Sequence, residues 1–170
     1  MKTDQKNSER FVSKVFQDVF DKYDLMNDLM SLGVHRLWKK QFINWLNPQK
    51  NTILLDVASG TGDIAKLYLE KVNYEGCVYC FDENKGMLNL NKKKFKENSY
   101  IKWFNGNAES LPYDSNFFDY YTISFGIRNV SNIDKAIKEA YRVLKPGGRF
   151  LCLEFSKVKS EILNKFYQSY

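Results

Sequence analysis

A glycine-rich turn between two carboxylates is the clearest candidate for a ligand-binding loop. In Leu54-Leu-Asp-Val-Ala-Ser-Gly-Thr-Gly-Asp63, Asp56 precedes the turn, Asp63 follows it, and Gly60 and Gly62 lie between them. Glycine lets the backbone approach a ligand closely and adopt conformations that a side chain forbids. The loop is preceded by an apolar run and followed by a helical pattern, so it has the position of a ligand-binding turn at the carboxyl end of a strand.

Two classes of ligand fit this loop, and its glycines do not decide between them. Gly60-Thr-Gly-Asp-Ile-Ala65 satisfies the dinucleotide pattern G-x-G-x-x-A, and Asp82 follows Gly62 by twenty residues, the spacing of an acid that binds a ribose. S-adenosylmethionine also contains adenosine, and Asp82 serves either ligand by accepting two ribose hydroxyl hydrogen bonds.

The charge next to the loop favours S-adenosylmethionine. A dinucleotide places its pyrophosphate on the helix N-terminus, whereas S-adenosylmethionine brings a sulfonium cation and an amino-acid tail. Asp56 and Asp63 put negative charge at this point, which favours the cation. Asp63 also has an interpretation as the N-cap of the following helix, and the two roles are compatible.

Other polar groups have structural interpretations beside their chemical ones. The loop 105–112 either binds the adenine edge or simply connects two elements. Cys77, Cys80 and Cys152 are expected to be reduced thiols, because one histidine and no second cysteine pair are present to complete a zinc site. That histidine, His35, fits packing better than acid–base catalysis. Lys92-Lys-Lys-Phe-Lys96 fits a solvated helix face, with an anionic lipid surface as the alternative.

The bulk composition predicts one soluble domain that spans residues 1–170. The chain is 44% hydrophobic and 27% charged, and it contains no apolar run of about 18 residues that could cross a membrane. Its first eight residues lack the apolar core of a secretory signal, which indicates an intracellular protein. The net charge of +6 is spread over scattered lysines, so we expect no nucleic-acid partner.

Periodicity predicts the elements that position these groups. Amphipathic helices are expected at 10–20 and 34–46, the second with Leu37, Trp38, Phe42, Ile43, Trp45 and Leu46 on its apolar side and a stop at Asn47-Pro48. Strands are predicted at 52–57, 77–82, 100–104, 118–124 and 149–155, alternating with helices at 63–71, 85–95 and 132–144, and with a turn at Pro146-Gly-Gly148. This alternation predicts an α/β, Rossmann-like doubly wound parallel sheet of order 3-2-1-4-5 in residues 51–170.

Two longer segments resemble the two signatures of the ubiquinone/menaquinone biosynthesis C-methyltransferase family. Members of this family are class I S-adenosylmethionine-dependent methyltransferases. They are Tyr23-Asp-Leu-Met-Asn-Asp-Leu-Met-Ser-Leu-Gly-Val-His-Arg-Leu-Trp38 and Arg142-Val-Leu-Lys-Pro-Gly-Gly-Arg-Phe-Leu-Cys-Leu-Glu-Phe-Ser156. Together with the two loops and Ile123-Ser-Phe-Gly-Ile-Arg-Asn129, the resemblance spans almost the whole chain.

The resemblance implies roles for individual residues. It implies cofactor contacts from Thr61, Asp82, Asn107, Ala108 and Ser124, and the loop residues Asp56, Gly60 and Gly62, expected from the loop pattern itself, complete the cofactor site. Ala58 stands where many methyltransferases outside the family have a glycine. Tyr23, Met26 and Asn27 resemble a lid, within an N-terminal helical region 1–50, that closes over cofactor and substrate.

The implied reaction is methyl transfer from S-adenosylmethionine to a ring carbon of a polyprenylated benzoquinol or of demethylmenaquinol, with no metal. Arg128 is the candidate catalytic residue, because a guanidinium beside the ring would stabilise developing phenolate charge. The alternative is that Arg128 forms a structural ion pair that holds its loop.

Family members continue with a further helix and an antiparallel strand pair, whereas this sequence ends at Tyr170, so we expect those strands to be missing. A second hypothesis is therefore a catalytically silent, truncated member that serves as a structural subunit of a quinone-synthesis complex. Peripheral membrane or complex association and a homodimer are left open. We expect a cytoplasmic location, with or without membrane association, in a bacterium, and the matrix face of the mitochondrial inner membrane in a eukaryote.

Overall fold

A computed structural model describes residues 34–95 and 99–155. In chain order, the elements are α1 (His35–Leu46), β1 (Thr52–Val57), α2 (Asp63–Lys71), β2 (Gly76–Asp82), α3 (Lys85–Lys94), β3 (Ile101–Asn105), β4 (Phe118–Ser124), a 3-10 turn (Ile127–Asn129), α4 (Ile133–Val143) and β5 (Leu144–Leu153). The strands form one parallel sheet of order β3-β2-β1-β4-β5, which confirms the predicted topology. The predicted helix 10–20 and the predicted lid residues Tyr23, Met26 and Asn27 lie outside the described residues.

The helix boundaries follow local capping chemistry. Asn47 ends α1 in the left-handed conformation, with φ 46°, and Pro48 follows it. Asn84 caps α3 by accepting a hydrogen bond from the Met87 N–H at 3.1 Å. Asn132 caps α4 in the same way, so that helix begins one residue later than predicted.

The fifth strand differs from its prediction. It begins at Leu144, which pairs with Phe118, and the register then shifts until Arg149 pairs with Tyr120. The turn predicted before the strand at residues 146–148 therefore lies inside it as an irregularity, with Gly147 at φ 81°. Proline lacks the N–H that a ladder needs, which explains why pairing is interrupted there rather than continued.

Both faces of the central strands β1 and β4 are buried, as a doubly wound fold requires. Neighbouring residues of β1 point to opposite faces: Leu54 packs with the cluster that includes α1 and α2, and Leu55 packs with the cluster that includes α4. Within the two described ranges, none of the helices has the length and apolarity to span a bilayer. Because β1 to β4 pair in parallel, their carboxyl ends meet along one edge of the sheet.

Candidate functional site

A cavity of about 340 Å³ opens at this edge, where the first four strands end. Ligand sites of open parallel sheets lie at the carboxyl ends of the strands, and their volumes are typically a few hundred Å³. Most of the residues expected from the sequence line it together: Asp56, Gly60, Thr61, Asp82, Asn107, Ala108, Ser124 and Arg128. The predicted separate segments thus form one site.

The glycine-rich loop follows a backbone path that favours glycine. Ala58, Gly60 and Gly62 all have left-handed conformations, with φ of 52°, 49° and 78°. Ala58 occupies a conformation where glycine carries no penalty, in agreement with its interpretation as a substituted glycine. Its methyl group fits because Gly126 faces it: a Cβ built on Gly126 would lie 2.4 Å from the Ala58 Cβ.

Gly62 differs from the other predicted loop contacts because it is not among the residues that line the cavity. A Cβ on Gly62 would lie 2.8 Å from the Trp103 ring. Its part in the site is indirect, since it lets the start of α2 pack closely on β3.

Asp82 is fixed by the backbone of the loop it faces. Its Oδ2 accepts a hydrogen bond from the Gly60 N–H at 2.9 Å, and its Oδ1 accepts one from the Asn84 N–H at 2.8 Å. A carboxylate oxygen has two lone pairs, so each oxygen keeps one for a ribose hydroxyl. The Asn105 side chain donates to the Asp82 carbonyl at 2.8 Å and ties the end of β3 to that of β2.

Asp56 is the most perturbed acid in the cavity. It is 1% exposed, and its Oδ1 accepts a hydrogen bond from the Thr122 hydroxyl at 2.8 Å. Burial raises its pKa from 3.8 to about 7, although the Thr122 hydrogen bond and the charge of Lys39 oppose the increase. Its Oδ2 is buried without a hydrogen-bond partner among the described residues. A cationic or hydrogen-bonding ligand would compensate this oxygen.

Asp63 does not cap α2, contrary to one of its two predicted roles. The cap position is Gly62, and Asp63 is the first helical residue. Its carboxylate instead binds Lys39 Nζ at 2.7 Å. Burial alone would raise the pKa of Asp63, but the Lys39 ion pair and hydrogen bonds from Lys39 and Thr61 lower it below its ordinary value. Asp63 is therefore a second negative charge at the cavity.

The ends of β3 and β4 supply the rest of the cavity wall. Asn107 is exposed and its Oδ1 accepts a hydrogen bond from the Glu109 N–H at 2.7 Å, so its side chain also stabilises its own turn. Ala108 is buried beside it, and Ser124 is half-buried at the last position of β4. Asn107 thus has the structural role of the connecting-loop interpretation while it lines the cavity.

Arg128 has the ion pair that its structural interpretation predicts. Its guanidinium binds Glu154 Oε1 and lies 5.6 Å from the centre of the Phe155 ring. It also lines the cavity, so a role in catalysis stays a prediction that this geometry accommodates.

Sequence reasoning assigned no role to several of the residues that line the cavity, among them Lys39, Ser59, Asn84 and Met87. The helical spacing could have indicated that Lys39 is buried. It lies four residues after His35 and four before Ile43, and all three residues are buried. Burial of His35 agrees with its packing interpretation.

The remaining candidate groups are not among the residues that line the cavity. Cys80 is buried and Cys77 is half-buried on β2, and across residues 34–95 and 99–155 no three metal-binding side chains come together. Lys92, Lys93 and Lys94 form the exposed last turn of α3, as expected of a solvated helix face.

Comparison with known proteins identifies relatives over the whole length of the chain. A model of the ubiE/COQ5 methyltransferase family matches residues 2–170. A Rickettsia prowazekii protein named ubiquinone/menaquinone biosynthesis C-methyltransferase UbiE is 53% identical, covering 99% of this chain and 70% of that protein. The mitochondrial 2-methoxy-6-polyprenyl-1,4-benzoquinol methylase of Dictyostelium discoideum is 45% identical, covering 98% of this chain and 63% of that protein.

Solved structures have the same architecture. The YcgJ protein of Bacillus subtilis superposes with a TM-score of 0.66 at 26% identity, over 79% of this chain and 56% of that one. A SAM-dependent methyltransferase of Aquifex aeolicus superposes with a TM-score of 0.65 at 20% identity, over 72% of this chain and 66% of that one. The family match and the sequence identities extend this likeness beyond the fold, and the chain belongs to the ubiE/COQ5 methyltransferase family.

Proposed function

We propose that this protein transfers the methyl group of S-adenosylmethionine to a ring carbon of a polyprenylated benzoquinol or of demethylmenaquinol. The observation that carries the cofactor assignment is the buried Asp56 carboxylate, whose Oδ2 has no described partner, in the same cavity as the fixed carboxylate of Asp82. Asp56 and Asp63 would repel a pyrophosphate and suit a sulfonium cation, while Asp82 would bind the ribose of the attached adenosine. The acceptor class is supported by the names of the Rickettsia and Dictyostelium relatives.

Different parts of the cofactor would contact residues from different strands, in the order of those strands in the sheet. Asp82 at the end of β2 would bind the ribose, and Asn107 with Ala108 after β3 would border the adenine. Asp56 and Asp63 provide negative charge on the side where a sulfonium would lie. When bound, S-adenosylmethionine supplies an electrophilic methyl group.

In the reaction a carbon–sulfur bond breaks, a bond to the ring carbon forms, and the ring loses one proton. The ring must be electron-rich, so the reduced quinol or its phenolate is the nucleophile. A guanidinium is a poor base, so Arg128 is not assigned the removal of the ring proton. We assign it the stabilisation of phenolate charge, while a water molecule takes the ring proton.

The test is methyl transfer from methyl-labelled S-adenosylmethionine to short-chain benzoquinol and demethylmenaquinol, each supplied reduced and oxidised. Label should enter a reduced acceptor and not its oxidised form. An enzyme that binds the cofactor but labels neither reduced acceptor would refute the proposed substrate class. It would also favour the alternative of a silent structural subunit, for which rescue of a quinone-deficient strain by the Arg128→Ala variant is the second test.

A further inference from the structure

Lys39 is a charged residue on the core-facing side of a helix. The buried side of α1 consists of His35, Lys39, Phe42, Ile43 and Leu46, and Lys39 is only 7% exposed. Burying an ammonium group is unfavourable unless it is paired. The pairing here is with Asp63, 2.7 Å away. A lysine at such a position implies either a structural link between α1 and α2 or a use for its charge.

The position of the ammonium is that of a cavity group. Lys39 lines the cavity together with Asp56 and Asp63, and its charge lowers the pKa of Asp63 and opposes the increase in the pKa of Asp56. An ammonium carries three N–H donors, and Asp63 Oδ2 takes one of them. The positive charge therefore lies next to the loop, on the β1 side of the cavity.

The strand order says which part of the cofactor would lie there. With the adenine at β3 and the ribose on Asp82 at β2, the amino-acid tail falls at the end of β1, the next strand along the edge. That tail carries an ammonium group and a carboxylate. Asp56 and Asp63 suit the ammonium group, but they would repel the carboxylate unless a cation is placed among them.

Two cationic side chains stand among the described residues that line the cavity, Lys39 and Arg128. Arg128 follows β4 and is paired with Glu154, on the opposite side of β1 from β2. Lys39 is the cation at the β1 end. We propose that Lys39 binds the carboxylate of the amino-acid tail of S-adenosylmethionine and shares its ammonium between that carboxylate and Asp63. This inference rests on the proposed function and adds a binding residue to it.

The test compares two ligands that differ only in this carboxylate: S-adenosylhomocysteine and its decarboxylated form, which keeps the adenosine, the thioether and the ammonium group. Calorimetric titration of the wild-type chain should give tighter binding of S-adenosylhomocysteine, by on the order of 10- to 100-fold, as a charged hydrogen bond supplies. The Lys39→Met variant keeps most of the side-chain volume and should lose this preference. The Lys39→Arg variant should retain most of it.

A matched control is Lys66→Met on α2, which removes an exposed lysine that does not line the cavity and should leave the preference unchanged. If Lys39 were only a structural link, Lys39→Met would weaken both ligands equally, which would overturn the inference. A wild-type chain that binds both ligands equally would overturn it without any variant. A wild-type chain that binds neither would refute the cofactor assignment itself, and the inference with it.

Discussion

The buried Asp56 carboxylate should make the folded protein less stable as the pH rises. Its pKa increases from 3.8 to about 7 on folding because burial disfavours the charged form. The folded chain therefore binds more protons than the unfolded chain between these values. The stabilising contribution is complete below pH 4 and is lost as the pH rises through about 7. With 1.36 kcal/mol for each pKa unit, the total loss is about 4 kcal/mol.

The perturbation that isolates this effect is Asp56→Asn, which keeps the shape and an oxygen for the Thr122 hydroxyl but does not ionise. The stability of the variant relative to wild type should increase by about 3 kcal/mol between pH 5 and pH 8, because Asp56 ionises only in the wild type. Urea unfolding at each pH measures the two free energies of unfolding. Contributions of other titrating groups cancel in the difference.

A constant difference between the two proteins from pH 5 to pH 8 would refute this reasoning, since it would mean that the Asp56 pKa is not raised on folding. The exposed Asp114 provides the control: Asp114→Asn should shift stability by no more than about 0.5 kcal/mol at either pH. The same ionisation links stability to function. A cation bound beside Asp56 would relieve the cost of the buried charge.

Further predictions concern ribose binding, catalysis and the loop. The Asp82→Asn variant should bind S-adenosylhomocysteine about 10- to 100-fold more weakly by calorimetry, because a charged acceptor is lost; unchanged affinity would exclude the ribose role. Arg128→Ala should lower the rate of methyl transfer about 100-fold with unchanged cofactor affinity. Glu154→Gln keeps the guanidinium and should lower the rate far less. Equal losses of rate in the two variants would indicate that only the ion pair matters. Gly62→Ala should reduce the free energy of unfolding by about 2–4 kcal/mol through backbone strain and overpacking. Gly147 has a similar φ but open space around its Cβ position, so Gly147→Ala should reduce the free energy of unfolding by only about 1 kcal/mol. Equal effects of the two variants in urea unfolding would contradict the packing argument.

Periodicity and turn residues predicted the sheet well because they are local signals. The strand order follows from connection rules once the elements are known, and the loop positions follow from the order. The fifth strand was misplaced since Leu144 pairs with Phe118 through a long-range contact. Nothing in the adjacent Pro146-Gly-Gly148 segment indicates that pairing.

The electrostatic partners in the site were harder to predict. Asp63 matched the local pattern of a helix cap, but Lys39, 24 residues earlier, takes its carboxylate instead. Lys39 itself was missed because a lysine suggests solvent, while Trp38 and Trp45, predicted on the apolar side of the same helix, are 39% and 66% exposed. The hydrophobic pattern alone predicts which side of a helix faces the core, but it does not predict that a charged residue on that side lines a cavity.

The identity of the ligand at the glycine-rich loop is the central claim, because the loop pattern and Asp82 fit a dinucleotide equally well. The decisive measurement is calorimetric titration of the wild-type chain with S-adenosylhomocysteine and with NAD at the same pH and ionic strength. At pH 8, where Asp56 is ionised as well as Asp63, these carboxylates should exclude a pyrophosphate, so we predict saturable binding of S-adenosylhomocysteine and no measurable heat from NAD. Binding of NAD without binding of S-adenosylhomocysteine would contradict the account.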